Sequence, residues 1–298
     1  MIVCLGEGLV DLICETPASS IAEADSFKPY FGGALANVAV AAARSGADAS
    51  LAGAAGDDEW GRWLRERLER EGVDVSWFEL LEGEQTPIAF ASFDDDANPS
   101  FLIYGDAIEI AVAAIGPRLE EALDGADALV YSSTTLATPK ERDVTLRARD
   151  LALERGVRVC LDPNIRPNRW GGEVEPAAAA SRELIGGSYL VRTNLEESQA
   201  ITGNDDPREA AAELAAMGAE IAVVTMGAAG AVIRGACEAE LPAAEVDVVS
   251  TLGAGDAFMG TLVAGLAQRD WDPSRAGEAL GPALDAAGEA CMRWSALG

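Results

Sequence analysis

Short apolar runs rich in β-branched residues alternate along this chain with longer stretches of helical period, and no other feature narrows the fold as much. This is the pattern of βαβ units, which build a mainly parallel sheet with helices packed on its faces. Ile2 to Leu5 opens as a strand, Leu35 to Arg44 is an Ala-rich helix stopped by Gly46, and Ser50 to Ala54 is extended again. Trp60 to Glu71 sets Trp63, Leu64 and Leu68 on one helical face and Arg and Glu on the other, with Gly72 as its C-cap. Ala128 to Ser132, Val157 to Leu161, Tyr189 to Val191 and Ile221 to Thr225 read as further buried strands. Helices near 139–155, 176–186 and 207–217 lie between them, and helices at about 255–268 and 273–294 close the chain.

Two stretches break this rhythm. Residues 12–31 show neither period and contain Pro17 and Pro29, while 86–106 reads as two short strands, IAFASF and SFLIY, joined by a turn from Asp94 to Pro99. They form either a small sheet lying over the crevice at the carboxyl ends of the main strands or an ordinary surface hairpin. No repeat or linker divides the 298 residues, so a single domain is expected.

Composition removes several mechanisms. With no histidine there is no Ser-His-Asp or Cys-His catalysis, no His-ligated zinc and no imidazole proton shuttle. Any general base is then a carboxylate or something rarer. Neither lysine, Lys28 or Lys140, follows a glycine, so the P-loop sequence is absent. A net charge of −28 repels nucleic-acid phosphates and anionic lipid surfaces, and both are excluded as expected partners. Cys4, Cys14, Cys160, Cys237 and Cys291 are far apart with no CxxC pair, which predicts free thiols. No signal peptide and no long apolar span is visible, so a cytoplasmic protein is expected.

Ser250-Thr251-Leu252-Gly253-Ala254-Gly255-Asp256 precedes the helix near 255. Small residues at 253–255 let backbone N–H groups point into one concavity, and the helix adds its positive end, which suits an anion. Asp256 in the first turn would place a carboxylate beside that anion, the pairing that phosphoryl transfer to an alcohol requires. The alternative is a Gly-rich turn with Asp as an ordinary N-terminal helix residue. The dinucleotide fingerprint fails, because Phe258 stands where GxGxxG needs its third glycine.

Gly32 and Gly33 permit close approach to backbone, Asn37 one turn later offers donor and acceptor to sugar hydroxyls, and Asp11 at the end of the first strand could accept from a diol. Asp162-Pro163-Asn164-Ile165-Arg166 follows another strand, where Arg166 provides a fork for phosphate or carboxylate. Each of these equally fits a turn or a satisfied polar group. Asp11, Asp162, Asn194, Thr225 and Asp256 nevertheless all fall after predicted strands or at a helix start, and in a parallel sheet those ends converge.

GGALANVAVAAARSG, AGDDEWGRWL, DPNIRP, NLEES, TMGAAGAV and STLGAGDAFMG, in this order, resemble the ribokinase-like (PfkB) carbohydrate kinases over essentially the whole chain. The resemblance implies one Rossmann-like α/β domain with a small β-sheet lid, a homodimer through that lid being a further expectation. It implies transfer of the γ-phosphoryl of ATP to a sugar, with Mg2+. Asp256 would be the base and Gly253, Ala254 and Gly255 the anion hole. Asp11, Gly32, Gly33, Asn37 and Arg166 would hold the substrate. Asn194, Thr225, Gly227 and Gly230 would line the nucleotide, and Glu197 would position magnesium through water. GEGLVDLI, TPIAFASF and DPNIRPNRW look most like fructokinases and 2-keto-3-deoxygluconate kinases, with a nucleoside kinase or a non-catalytic sugar-binding regulator as alternatives. The family usually has Asp, which helps hold a monovalent cation, where this chain has Ser250, so weak dependence on potassium is expected.

Overall fold

The computed structural model describes residues 1–94, 99–103 and 107–296. The chain begins with β1 (Ile2–Leu5), β2 (Leu9–Ile13), β3 (Lys28–Gly32), α1 (Ala34–Arg44), β4 (Ala49–Gly56), α2 (Glu59–Arg70) and β5 (Phe78–Leu81). Next come β6 (Ile88–Phe93), β7 (Pro99–Ile103), α3 (Ala107–Ala114), α4 (Leu119–Ala122), β8 (Ala128–Ser132), α5 (Pro139–Glu154), β9 (Arg158–Asp162) and α6 (Glu175–Leu184). It closes with β10 (Leu190–Asn194), α7 (Leu195–Thr202), α8 (Pro207–Ala216), β11 (Ile221–Thr225), β12 (Ala231–Gly235), β13 (Ala239–Leu241), α9 (Ala254–Ala267) and α10 (Gly277–Cys291).

Nine strands form one sheet in the order β13-β12-β11-β10-β9-β8-β1-β4-β5. All its pairs are parallel except β11 with β12 and β12 with β13. Alternate side chains split into two cores. Ile2, Cys4, Leu51, Val130, Leu190 and Val223 pack beneath α1, α9 and α10, whereas Val3, Leu5, Leu129, Leu161, Val191 and Val224 face α5, α6 and α8. α1 and α9 approach closely because Gly260 has no side chain; a Cβ there would sit 2.4 Å from the Val38 carbonyl oxygen. All five cysteines are free thiols. Among the described residues no helix is long and apolar enough to cross a membrane.

The chain runs from β1 outward through β4 and β5, then returns to place β8 on the other flank of β1. That reversal opens a crevice beyond the carboxyl ends of β1 and β8, where open parallel sheets bind their ligands.

A second, four-stranded sheet has the order β3-β2-β6-β7. Its strands are more extensive than residues 12–31 and 86–106 suggest. β2 starts at Leu9, and the stretch expected to lack strand period holds the end of β2 and most of β3. Pro29 obscured β3, yet β3 is an edge strand, where a residue without N–H is tolerated. Residues 95–98 of the expected turn, and 104–106, lie outside the described residues. Asp11 also needs correcting: it belongs to β2, not to the end of the first strand, which stops at Leu5. The helix read over 273–294 is a short 3-10 turn at Pro273–Arg275 followed by α10.

Candidate active site

Asp256 stands in the first turn of α9, buried beneath the crevice. Gly253 caps that helix in the left-handed region, at φ +78, and a Cβ there would overlap Ala296 at 2.2 Å. The first N–H groups of a helix have no acceptor inside it, and here Ala254 N makes only a long bond, 3.4 Å, to the Thr251 carbonyl, so the turn retains donor capacity for an anion. Asn37 Nδ2 donates to Asp256 Oδ2 at 2.9 Å, and Asn164 Nδ2 donates to Oδ1 at 3.5 Å. Asn164 reaches it from a left-handed conformation, φ +43, which Asn adopts more readily than most residues. Burial pushes the Asp256 carboxyl above its ordinary range, against the pull of the Asn37 hydrogen bond and the Arg166 and Arg192 guanidinium groups.

Two more buried carboxylates share this end of the crevice. Glu7, between β1 and β2, accepts the Ala34 N–H at 3.2 Å and so caps α1, while its other oxygen is buried without a partner. Asp11 is raised to about 7, chiefly by burial and then by the charge of Asp256, with Arg166 opposing. The adjacent glycines explain themselves here. A Cβ on Gly32 would lie 2.1 Å from Asp11 Oδ2, and one on Gly33, at φ +101, would lie 2.4 Å from the Glu7 carbonyl oxygen. Asn37 Oδ1 is also buried and unpartnered, an acceptor that a sugar hydroxyl would satisfy.

The third wall comes from the ends of β9, β10 and β11. Arg192 in β10 pairs with Asp162 in β9 at 3.2 Å and donates to Thr225 Oγ1 in β11 at 2.8 Å. Thr225 in turn donates to the Thr193 carbonyl at 3.2 Å. Glu197 and Asn194 form a reciprocal cap at the start of α7, with Asn194 Oδ1 accepting from Glu197 N at 2.8 Å and Glu197 Oε2 accepting from Asn194 N at 2.9 Å. Glu197 Oε1 accepts the Ile165 N–H at 2.8 Å and ties down the loop that carries Asn164 and Arg166. Both oxygens are therefore already engaged. Remaining lone pairs suit water on a hydrated cation, as a water-mediated role requires, and not a direct metal bond. Among the described residues no cluster of acidic and thiol groups forms a metal cage. Gly227 has open space where a side chain would be, whereas Gly230 is required by the hairpin, since a Cβ would meet the Leu241 carbonyl at 1.9 Å.

Ser250 is fully buried and its Oγ accepts the Leu252 N–H at 3.1 Å, a turn-holding role. The fold also brings Glu7, Asn164 and Arg192 to this crevice, which the sequence motifs do not single out. Only Arg192 carried a signal, a charge inside the apolar run Tyr189 to Thr193, and nothing local named its partner.

The fold and this crevice define a carbohydrate kinase. The chain belongs to the pfkB family, whose carbohydrate kinase model matches residues 1–290. It is 32% identical over 280 residues to Fructokinase-1 of Oryza sativa subsp. japonica, covering 92% of this chain and 84% of the rice protein. A double mutant of the fructokinase from Vibrio cholerae O395, solved with fructose, ADP and potassium ion, superposes with a TM-score of 0.85 at 26% identity, covering 99% of this chain and 93% of that one. The aminoimidazole riboside kinase of Salmonella enterica, complexed with aminoimidazole riboside and an ATP analog, superposes at 0.82 and 26% identity, covering 99% and 95%.

Proposed function

We propose that this enzyme transfers the γ-phosphoryl group of ATP to a hydroxyl of a neutral ketohexose such as fructose, with Asp256 as the general base. The observation that carries this reading is the Asp256 carboxylate, buried at the amino end of α9 and held by Asn37 and Asn164 beside three successive small residues. A carboxylate lifted above its ordinary pKa is a better proton acceptor once ionised. Asp256 takes the hydroxyl proton as the oxygen attacks phosphorus, and the backbone N–H groups of Gly253, Ala254 and Gly255 hold the charge on the transferring oxygens. Asp11, Asn37 and the Gly32–Gly33 turn orient the sugar, with Arg166 lying between the acceptor and the phosphate. The four-stranded sheet closes over the crevice as part of the one domain, and closure excludes water. Asn194, Thr225, Gly227 and Gly230 border the nucleotide. Magnesium, bound with the nucleotide, would neutralise phosphate charge, with Glu197 holding its water shell.

The acceptor pocket is rich in carboxylates, which favours a neutral sugar over a 2-keto-3-deoxy sugar acid. An acid would need a second cation beside Arg166. Lys28 and Tyr30 both bond Glu15, and Arg169 is bound to Glu141 at 2.7 Å, so none of these is uncommitted. Fructokinase relatives and a fructose-bound structural neighbour point the same way. The test is an ADP-release assay on fructose and on 2-keto-3-deoxygluconate, with wild type and Asp256→Asn. Fructose should be preferred, and the variant should lose about 10²–10⁴ in kcat while keeping its fold. A tenfold preference for the acid rejects the acceptor, and more than a tenth of wild-type turnover in Asp256→Asn rejects the base.

A further inference from the structure

Arg192 is a cation placed where cations are rarely found. It lies in β10, an interior strand of the nine-stranded sheet, and its side chain is only 10% exposed. It faces α9, for Leu190 two residues earlier packs in the core beneath α1 and α9. Its fork joins three strands and a helix. Nη1 meets both oxygens of Asp162, at 3.2 and 3.4 Å, and Nη2 donates to Thr225 Oγ1 at 2.8 Å. The guanidinium carbon lies 5.9 Å from the centre of the Phe258 ring. Where Gly255 has no side chain, a Cβ would fall 2.5 Å from Nη1 and 2.8 Å from Nη2. Gly255 is thus glycine because the guanidinium occupies that space, directly against the turn that precedes Asp256.

We propose that Arg192 is a positioning residue for phosphoryl transfer: an immobile, permanently charged group, locked by Asp162 and Thr225, that braces the first turn of α9 and balances the charge around Asp256. The inference rests on the reading of Asp256 as base. Four carboxylates gather at this end of the sheet, namely Glu7, Asp11, Asp162 and Asp256, with Glu197 on α7 close by. Against them stand Arg166 on the loop after β9, Arg192 on β10 and, facing Glu7, Arg169, with Asn37 from α1 and Asn164 as neutral donors. Arg166 is half-buried at the crevice, while Arg192 lies beneath it and cannot swing away. Of the two cations that act on Asp256, Arg192 is therefore the one whose place does not depend on ligand.

A base works only when ionised, so activity falls as pH drops through its pKa. Removing a nearby cation raises that pKa and moves the acid limb of kcat/KM to higher pH. Arg192→Gln, polar but without charge, should shift the limb upward by about one unit and lower kcat, while the sugar KM stays within threefold. Arg192→Lys keeps the charge without the fork, so its limb should return to the wild-type position although kcat remains depressed. A merely structural Arg192 would lower the amount of folded enzyme and leave both limbs where they were. If Arg192→Gln shows the wild-type limb, or if the Gln and Lys variants share one limb, the proposal is wrong. Should circular dichroism show Arg192→Gln unfolded, Arg192→Gln/Asp162→Asn removes both members of that ion pair together, and kcat within threefold of wild type in that variant overturns the proposal. All are assayed by ADP release on whichever sugar wild type turns over, so a wrong acceptor does not affect the outcome. An active Asp256→Asn would instead sink the base assignment on which this inference stands.

Discussion

Gly32 and Gly33 are adjacent and chemically identical, yet the same substitution should injure them in different ways. Gly32 ends β3 opposite Leu9, and its absent side chain leaves room for the Asp11 carboxylate, which a Cβ would meet at 2.1 Å. The obstacle is the end of a side chain that can rotate, so Gly32→Ala should cost the fold about 1 kcal/mol, the low end of overpacking. With Asp11 in its proposed role, however, rotation takes it off the sugar. Losing a hydrogen bond to a charged group is worth about 1.5–3 kcal/mol, or roughly 10- to 100-fold in kcat/KM for the sugar. Gly33 has φ +101, and its Cβ would strike the Glu7 backbone oxygen at 2.4 Å, an atom that cannot rotate away. Gly33→Ala should therefore lower stability by about 3 kcal/mol through strain and overlap together. Thermal unfolding and steady-state kinetics on both variants separate the two effects. Equal losses of stability, or a Gly32→Ala enzyme with wild-type kcat/KM for its sugar, would refute the reasoning.

Asp11→Asn should stabilise the free protein above neutral pH while lowering kcat/KM for sugar by about 10- to 100-fold. The folded-state pKa of Asp11 is raised from 3.8 to about 7 by burial, so wild-type stability falls as pH rises through that window and the advantage of Asn grows with it. Melting temperatures of both proteins at pH 5 and pH 8 check this, and an advantage that shrinks with pH contradicts it. Because Ser250 offers one neutral hydroxyl, already accepting from Leu252 N, activity in potassium chloride should stay within about twofold of that in tetramethylammonium chloride at equal ionic strength. Activation of fivefold or more would show that a cation binds there without a carboxylate.

What the chain alone determined is whatever depends on neighbours in sequence. Strands Ala128–Ser132 and Ile221–Thr225 read out to the residue, because an apolar run bounded by turns has no other way to bury itself in a parallel sheet. The glycine turns at 32–33 and 253–255, with Asn37 and Asp256 at fixed offsets, were visible for the same reason: a helix start and its ligand groups are local chemistry. The strands of the small sheet were harder. β2 is short and interrupted by Asp11, and β3 contains a proline that only its place at a sheet edge excuses. Several of the charges were visible, but their pairing was not. Arg192 meets Asp162 thirty residues away and Thr225 thirty-three away, and Glu7 caps a helix that begins at Ala34. A buried ion is tolerable only with its partner in place, and which strands stand side by side is a property of the sheet order, so tertiary structure alone decided what surrounds Asp256.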